Sequence, residues 1–278
     1  MKETITQLRA SLIPIYGKGE AEAIIRLIFH YLKGWDLTDI LIHQDDQLSD
    51  YIKSEADKIL KRLLKHEPIQ YIVGEARFYG MDLKIKPGVL IPRQETEELV
   101  DIIVDENKDR DDLKVLDLCT GSGCIAIALA RNLPFSEVTA VDFSQTAIEV
   151  AKENITLLKA KVKLIKADIF DWAPADKFDI IVSNPPYVMD KEALTMDSNV
   201  LDYEPHDALF VRDDNPLEFY LRIADIALKY LKDNGRLYLE INPMTSEELK
   251  ESLYKKGFKD INIIRDTSGK KRFITCMV

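Results

Sequence analysis

Cysteine, histidine and long apolar runs are all scarce in this chain, and each shortage closes off a class of function. Three cysteines, Cys119, Cys124 and Cys276, are too few and too odd in number for a disulfide framework. No histidine lies near Cys119 or Cys124 in sequence, so no metal site is expected and the thiols read as reduced and partly buried. The longest apolar stretches, such as Ala21 to Phe29, are broken by charge and fall well short of the roughly 20 residues a membrane span needs. Met1-Lys2-Glu3 leads straight into an amphipathic pattern with no signal-like segment, so a cytoplasmic location is expected. Basic residues are outnumbered, 38 against 48, and a formal charge of −10 argues against broad adhesion to nucleic acid. The excess acid lies beyond residue 90, because the first 90 residues hold thirteen basic and thirteen acidic side chains. No internal repeat or low-complexity tract is visible.

What is present has two textures. At 278 residues the chain exceeds one average domain. Its first 65 residues read as helices only: Ile24, Ile25, Ile28, Phe29 and Leu32 share one face. Leu48, Tyr51, Ile52, Ile59, Leu60, Leu63 and Leu64 form a second stripe. Asp36 or Thr38 can cap a short helix between them. Such a bundle serves either as a docking module or as scaffolding. The helical period stops at His66 to Gly74. Ala76 to Ile85 then alternates like strands, with a turn at Lys86-Pro87-Gly88 and a helix start near Glu95.

From Lys114 strands alternate with helices: strands at 114–118, 137–141, 162–166, 178–183 and 236–241, then 261–265 and 272–277. Pro216 opens a helix that runs to about Leu231 and stops before Gly235, where a left-handed residue is allowed; Gly257 ends the helix from Ser246. The last two strands are joined only by Asp266 to Lys271 and must pair as an antiparallel hairpin. The expected fold class is α/β, a doubly wound, mainly parallel seven-stranded sheet with an antiparallel C-terminal hairpin, plus a small all-α N-terminal domain. The expected domains are 1–75 (helical, substrate-docking), 76–92 (hairpin-like connector) and 93–278 (catalytic).

The first of these strands ends in Asp117-Leu118-Cys119-Thr120-Gly121-Ser122-Gly123-Cys124-Ile125-Ala126. Gly121, Gly123 and Ala126 fit a dinucleotide fingerprint, and Asp142 follows 21 residues after Gly121, near the expected ribose-binding acid. The spacing alone suits a nicotinamide, a flavin or S-adenosylmethionine. Asp117 separates them, since a carboxylate beside the loop repels a pyrophosphate but suits an ammonium and a sulfonium. Asp142 reads as the acceptor of both ribose hydroxyls or as a helix cap, and Asp168 as a reader of the adenine amino group or a loop acid.

The fourth strand ends in Ser183-Asn184-Pro185-Pro186-Tyr187, and loops at the carboxyl ends of parallel strands face the ligand. An NH2 group whose nitrogen attacks a methyl needs acceptors for its hydrogens. The Asn184 side-chain oxygen and the Pro185 carbonyl can supply two, while Tyr187 offers a flat face to a planar amide or base. His206, the only histidine in this half, is given no catalytic role.

Asn184 to Tyr187 resembles the tetrapeptide of amino-methylating enzymes acting on DNA adenine, ribosomal guanine and protein glutamine. Further segments narrow this: Glu67-Pro68-Ile69-Gln70-Tyr71 with Gly74, Phe78-Tyr79-Gly80, and Ile91-Pro92-Arg93-Gln94-Glu95-Thr96-Glu97. Together with Tyr203-Glu204-Pro205 and Ala208-Leu209-Phe210 they resemble the release factor glutamine methyltransferase family. The resemblance implies S-adenosylmethionine as cofactor and, as substrate, the glutamine of the Gly-Gly-Gln motif of peptide chain release factors. It implies that Asn184, Pro185, Pro186 and Tyr187 hold that glutamine and that Arg93 and Glu97 shape the active-site face. Cofactor contacts are implied for Asp117, Cys119 to Gly123, Asp142, Phe143, Asp168, Ile169 and Asn184. The chain departs from the family at Cys119, where glycine is common, at Ile169, where some members carry an aromatic, and at Asn242-Pro243, which replaces a glycine-containing stretch. A nucleic-acid amino-group methyltransferase and a non-catalytic cofactor-binding scaffold are the competing readings.

Overall fold

Apolar side chains three and four residues apart in the first 65 residues fold as helices. The computed structural model describes residues 1–278. They fall into two units, one formed by Met1–Glu75 with Asp197–Tyr203 and the other by Ala76–Met196 with Glu204–Val278. In the smaller unit α1 (Lys2–Lys33), kinked at Gly17, packs with α2 (Leu37–Ile42), α3 (Asp50–Leu63) and α4 (Ile69–Val73). Leu8, Leu12, Ile28 and Phe29 of α1 meet Ile52, Ile59 and Leu63 of α3 in one core. Asp36 caps α2 reciprocally with Asp39, and Ser49 caps α3.

Two details differ from the periodicity. Tyr51 and Leu64 are 70% and 44% exposed. The buried stripe of α3 is Ile52, Ala56, Ile59, Leu60 and Leu63, and Tyr51 lies about a quarter-turn off it. The segment expected to leave the helical pattern forms α4. Pro68 stands at the N-cap of this helix, where its missing N–H costs no helical hydrogen bond, and Ile69 and Ile72 join the core.

From Ala76 the larger unit opens with a hairpin of β1 (Glu75–Phe78) and β2 (Met81–Lys84), turning at Tyr79-Gly80. There follow α5 (Gln94–Asn107), β3 (Lys114–Leu118), α6 (Cys124–Asn132), β4 (Glu137–Asp142), α7 (Gln145–Leu157), β5 (Val162–Lys166) and β6 (Phe178–Ser183). An excursion then carries β7 (Val188–Met189), α8 (Ser198–Tyr203), α9 (His206–Leu209) and β8 (Phe210–Val211). The chain closes with α10 (Glu218–Tyr230), β9 (Leu231–Glu240), α11 (Ser246–Lys256), β10 (Lys259–Arg265) and β11 (Lys271–Met277). Within the excursion α8 belongs to the smaller unit, where the Tyr203 hydroxyl donates to the Lys65 carbonyl at 2.7 Å. Nothing in the residue pattern marks that membership.

The seven-stranded sheet has the order β10-β11-β9-β6-β3-β4-β5. β9, β6, β3, β4 and β5 pair in parallel, and β11 runs antiparallel to both its neighbours. Alternation along the strands sorts side chains between two cores. Val115, Ile180, Val182, Tyr238 and Phe273 face α5 and α6, whereas Leu116, Ile181, Leu237, Leu239 and Ile274 face α10 and α11. The strand order reverses at β3, whose two neighbours are β4 and β6, so a ligand crevice is expected at the carboxyl ends of these three.

Gly235 is not left-handed; that conformation belongs to Asn234, with φ 64°. Close approach demands the glycine instead, since a Cβ there would lie 2.9 Å from the Lys232 carbonyl oxygen and 3.1 Å from that of Asp179.

Candidate active site and cofactor cleft

The cleft is built on the turn from β3 into α6. Asp117 is fully buried beneath it. Its Oδ2 accepts from the Thr120 hydroxyl at 2.6 Å and the Ala126 N–H at 3.2 Å, tying both ends of the loop to the strand. Oδ1 is buried with no hydrogen-bond partner. Burial pushes the Asp117 carboxyl up to about 7, against the pull of Thr120 and Ala126, with the Asp142 charge adding to the rise. Gly123 has φ 82°, and a Cβ there would meet Ala151 and Ile127 side-chain carbons at 3.3 Å. Cys119 adopts φ 60°, the left-handed conformation that glycine takes without strain, at a cost of roughly 1–2 kcal/mol for a side-chain-bearing residue. Burial and the Asp142 charge hold its thiol protonated, far above the ordinary value.

Asp142, at the end of β4, accepts from the Gly121 N–H at 2.8 Å through Oδ2 and from the Ser144 N–H at 2.9 Å through Oδ1. Each oxygen keeps a second lone pair, so capping and ligand binding are compatible. Burial raises its pKa, and those backbone donors counter the rise. Asp168 Oδ1 accepts from the Phe170 N–H at 2.9 Å, and the carbonyl of buried Ile169 accepts from Arg222 Nε at 2.6 Å.

The Ser183 hydroxyl at the end of β6 donates to the Leu118 carbonyl at 2.6 Å, locking the two strand ends together. Asn184 Nδ2 donates to Thr96 Oγ1 at 3.2 Å, and the Thr96 hydroxyl donates to Glu240 Oε2 at 2.7 Å. The Tyr187 hydroxyl donates to Glu240 Oε1 at 2.9 Å. Burial and the neighbouring Glu240 charge raise the Tyr187 pKa well above its usual value, so this proton stays in place. Asn242 Nδ2 donates to the Tyr187 carbonyl at 3.0 Å, which gives the Asn242-Pro243 departure a definite task.

These elements enclose a cavity of about 320 Å³. Its wall brings together Arg93, Cys119, Thr120, Gly121, Ser122, Asp142, Phe143, Asp168, Ile169, Asn184 and Pro186. Asp117, Gly123, Pro185, Tyr187 and Glu97 are not on it. Tyr187 turns its hydroxyl to Glu240, and Glu97 Oε1 accepts from the Tyr79 N–H at 2.9 Å, fixing the hairpin turn. Arg93 pairs with Glu204 at 2.5 Å, and the second oxygen of this buried Glu204 accepts from the Ile91 N–H at 3.1 Å. Sequence reasoning gave no role to Thr96, Asp207, Phe219 or Glu204. Glu204 and Thr96 carried a signal, in the Tyr203-Glu204-Pro205 and Ile91-to-Glu97 segments; Asp207 and Phe219 carried none. Phe219 supplies an aromatic to the wall beside Ile169 and packs edge-on against Phe170.

The donor set fits S-adenosylmethionine better than a dinucleotide. Asp142, Asp168 and Asp207 face the cleft, and its one guanidinium is paired to Glu204. A pyrophosphate would meet these carboxylates, whereas a sulfonium and an ammonium are drawn to them. The buried oxygen left over on Asp117 and the partnerless Ser122 hydroxyl lie in the same loop.

Comparison with known proteins agrees. Residues 91–201 match the methyltransferase small domain, and residues 3–74 match the PrmC N-terminal domain. A release factor glutamine methyltransferase of Bacteroides thetaiotaomicron is 44% identical over 99% of both chains, and that of Flavobacterium psychrophilum 40% over 99% of this chain and 98% of its own. A methyltransferase structure from Pyrococcus furiosus, at 20% identity, superposes with a TM-score of 0.54 over 79% of this chain and 98% of that one, a likeness of fold. The chain belongs to the release factor glutamine methyltransferase family and is an S-adenosylmethionine-dependent methyltransferase.

Proposed function

We propose that this protein methylates the side-chain amide nitrogen of the glutamine in the Gly-Gly-Gln motif of peptide chain release factors, in the cytoplasm. The observation that carries the reading is Asn184, placed on the cleft wall at the end of β6 with its amide nitrogen already committed to Thr96. Its carbonyl oxygen is thereby left for an N–H of the substrate. When bound, S-adenosylmethionine supplies a methyl on a positively charged sulfur, whose transfer forms an N–C bond, breaks a C–S bond and releases one proton from nitrogen.

The chain's own residues then need to position more than to deprotonate. An amide nitrogen is a poor nucleophile because its lone pair is delocalised into the carbonyl. Acceptors on its N–H bonds favour the positive charge that develops on attack, and Asn184 and the Pro185 carbonyl are assigned that task. Pro185 and Pro186 stiffen the loop and bring no competing backbone donor. Asp142 would accept the ribose hydroxyls, Asp168 the adenine amino group, and Cys119 to Gly123 would hold the amino-acid end. Tyr187 supports the loop from behind through Glu240, and Arg93 with Glu204 holds the segment from Ile91 against the cleft. The smaller unit is assigned to docking the release factor.

The test is to incubate the enzyme with methyl-labelled cofactor and either a release factor or nucleic acid, and to locate the label by mass spectrometry. Label on the glutamine amide is expected. Label on a base would favour a nucleic-acid enzyme, and no transfer to any substrate a binding scaffold.

A further inference from the structure

We propose that buried Glu240 is a positioning residue that decides, through Thr96, which end of the Asn184 amide faces the cleft. The inference rests on the reading of Asn184 as the acceptor for a substrate N–H, and it explains how that acceptor is presented.

The oxygen and nitrogen of a primary amide are nearly the same size. Shape therefore cannot tell the two flips of Asn184 apart, and hydrogen-bond chemistry must do so. In one flip the cleft meets an acceptor suited to an N–H of the substrate. In the other it meets a donor that would repel that N–H.

The relay begins at Glu240, on β9 and 1% exposed. Its two oxygens each receive a hydroxyl: Oε2 from Thr96 at 2.7 Å and Oε1 from Tyr187 at 2.9 Å. An ionised carboxylate is an acceptor only, so it takes up the single proton of the Thr96 hydroxyl. Burial, with the Glu95 charge, raises the Glu240 pKa above its usual value, and both hydroxyls and the nearby Arg272 counter that rise in favour of the charged form. With its proton spent, Thr96 Oγ1 can only accept from Asn184. The group facing it must be the NH2, as found at 3.2 Å, and the amide oxygen is turned to the other side. Tyr187 and Asn242 hold the same loop from its far end, because Asn242 Nδ2 donates to the Tyr187 carbonyl at 3.0 Å. Two of the three side chains in the relay, Thr96 and Glu240, are almost fully buried, which limits competition from solvent.

The relay is tested in the full-length enzyme by selective labelling of asparagine side chains with nitrogen-15. The Asn184 NH2 signal is identified as the one missing in Asn184→Ala. In wild type the proton donated to Thr96 should exchange with solvent roughly tenfold or more slowly than in Thr96→Val, an isostere without an acceptor. Glu240→Gln should speed exchange too, since a glutamine can either donate to Thr96 or accept from it. Thr96→Val should lower kcat on the release factor by roughly three- to tenfold, the bias one net hydrogen bond sustains. The KM for release factor and the Kd for cofactor should move less than about twofold, and Thr96→Ser should restore most of the lost turnover. A purely structural role would not divide kcat from binding in this way. Exchange in Thr96→Val as slow as in wild type would overturn the relay. A wild-type enzyme inactive on release factors would instead overturn the functional reading, with the exchange result still reporting on the relay.

Discussion

Single side chains at the cleft have roles that substitution can separate. Asn184→Ala removes one acceptor and leaves the proline carbonyls and the glycine loop in place. Losing one positioned electrostatic partner of a transition state costs about 10²–10³ in turnover. Cofactor affinity should fall far less, because about half of the cleft wall comes from the segments that follow β3, β4 and β5, which the substitution leaves untouched. A folded, cofactor-bound variant with near wild-type turnover would rule out the acceptor role. Asp117 gives a pH signature. Its carboxyl is pushed up to about 7 in the folded protein, whereas an unfolded aspartate titrates near about 3.9. Below the unfolded value both states hold the proton and the group is neutral to stability. Between about 4 and 7 the unfolded chain releases the proton while the folded one retains it, so stability falls as pH rises; above about 7 the penalty is constant. Without cofactor, the melting temperature should therefore decline between about pH 5 and pH 7, a trend that Asp117→Asn flattens. A cationic ligand at the loop should pull the carboxyl down and recover part of that loss. An equal decline in the asparagine variant would place its origin elsewhere.

At the scale of elements, the cleft depends on a side chain that behaves like a piece of strand. Asn154, on α7 and fully buried, accepts from the Lys84 N–H at 2.7 Å and donates to the carbonyls of Lys84 and Ser122 at 3.0 and 2.9 Å. One residue thus ties the β1–β2 hairpin to the glycine loop. Asn154→Ala should destabilise the protein by about 2–3 kcal/mol, since buried backbone groups lose this partner, and should also weaken cofactor binding. Asn154→Asp should be no better, because it keeps the acceptor but sets a carboxylate against two carbonyls. Denaturation midpoints within error of wild type for both would remove Asn154 as the tie. The contrast between this tie and the sheet explains what could be read in advance. Strand periodicity at Val115–Leu116 or Ile180–Ile181, the stop at Gly257 and the cap at Ser144 are local, and local chemistry fixes them. Asn154, Thr96 and Glu240 are contacts across 32 to 144 residues, and no spacing rule reaches that far. The same holds for Tyr187: its motif placed it beside the substrate, but its direction depended on a carboxylate 53 residues away. Cys119 is the opposite case: the resemblance implied a departure from glycine at this position, and its backbone is left-handed, the conformation glycine takes without strain.

At the scale of the molecule, the hydrophobic cores respect the division into two units. One cluster runs from Ile5 to Ile72, and the two others draw only on residues 78 to 276. Each unit thus buries its own apolar surface, the usual condition for folding alone. Deleting residues 1–75 should leave a folded larger unit whose cofactor Kd stays within about threefold of wild type, because every residue of the cleft wall belongs to that unit. Asp197–Tyr203 is the exception: it belongs to the smaller unit and would lose its partners, including the Lys65 carbonyl that holds the Tyr203 hydroxyl. Limited proteolysis of the truncated protein should therefore cut first near this segment. Activity then separates docking from scaffolding. If the smaller unit docks the release factor, the truncated enzyme should methylate intact release factor at least tenfold less efficiently at low substrate, roughly the loss of 1.4 kcal/mol of binding. A short Gly-Gly-Gln peptide, too small to reach a second surface, should be methylated equally by both enzymes. Equal losses on protein and peptide would point to damage at the cleft through the freed segment, and Tyr203→Phe in the full-length chain would reproduce part of it. Equal activity on intact release factor would reduce the smaller unit to scaffolding.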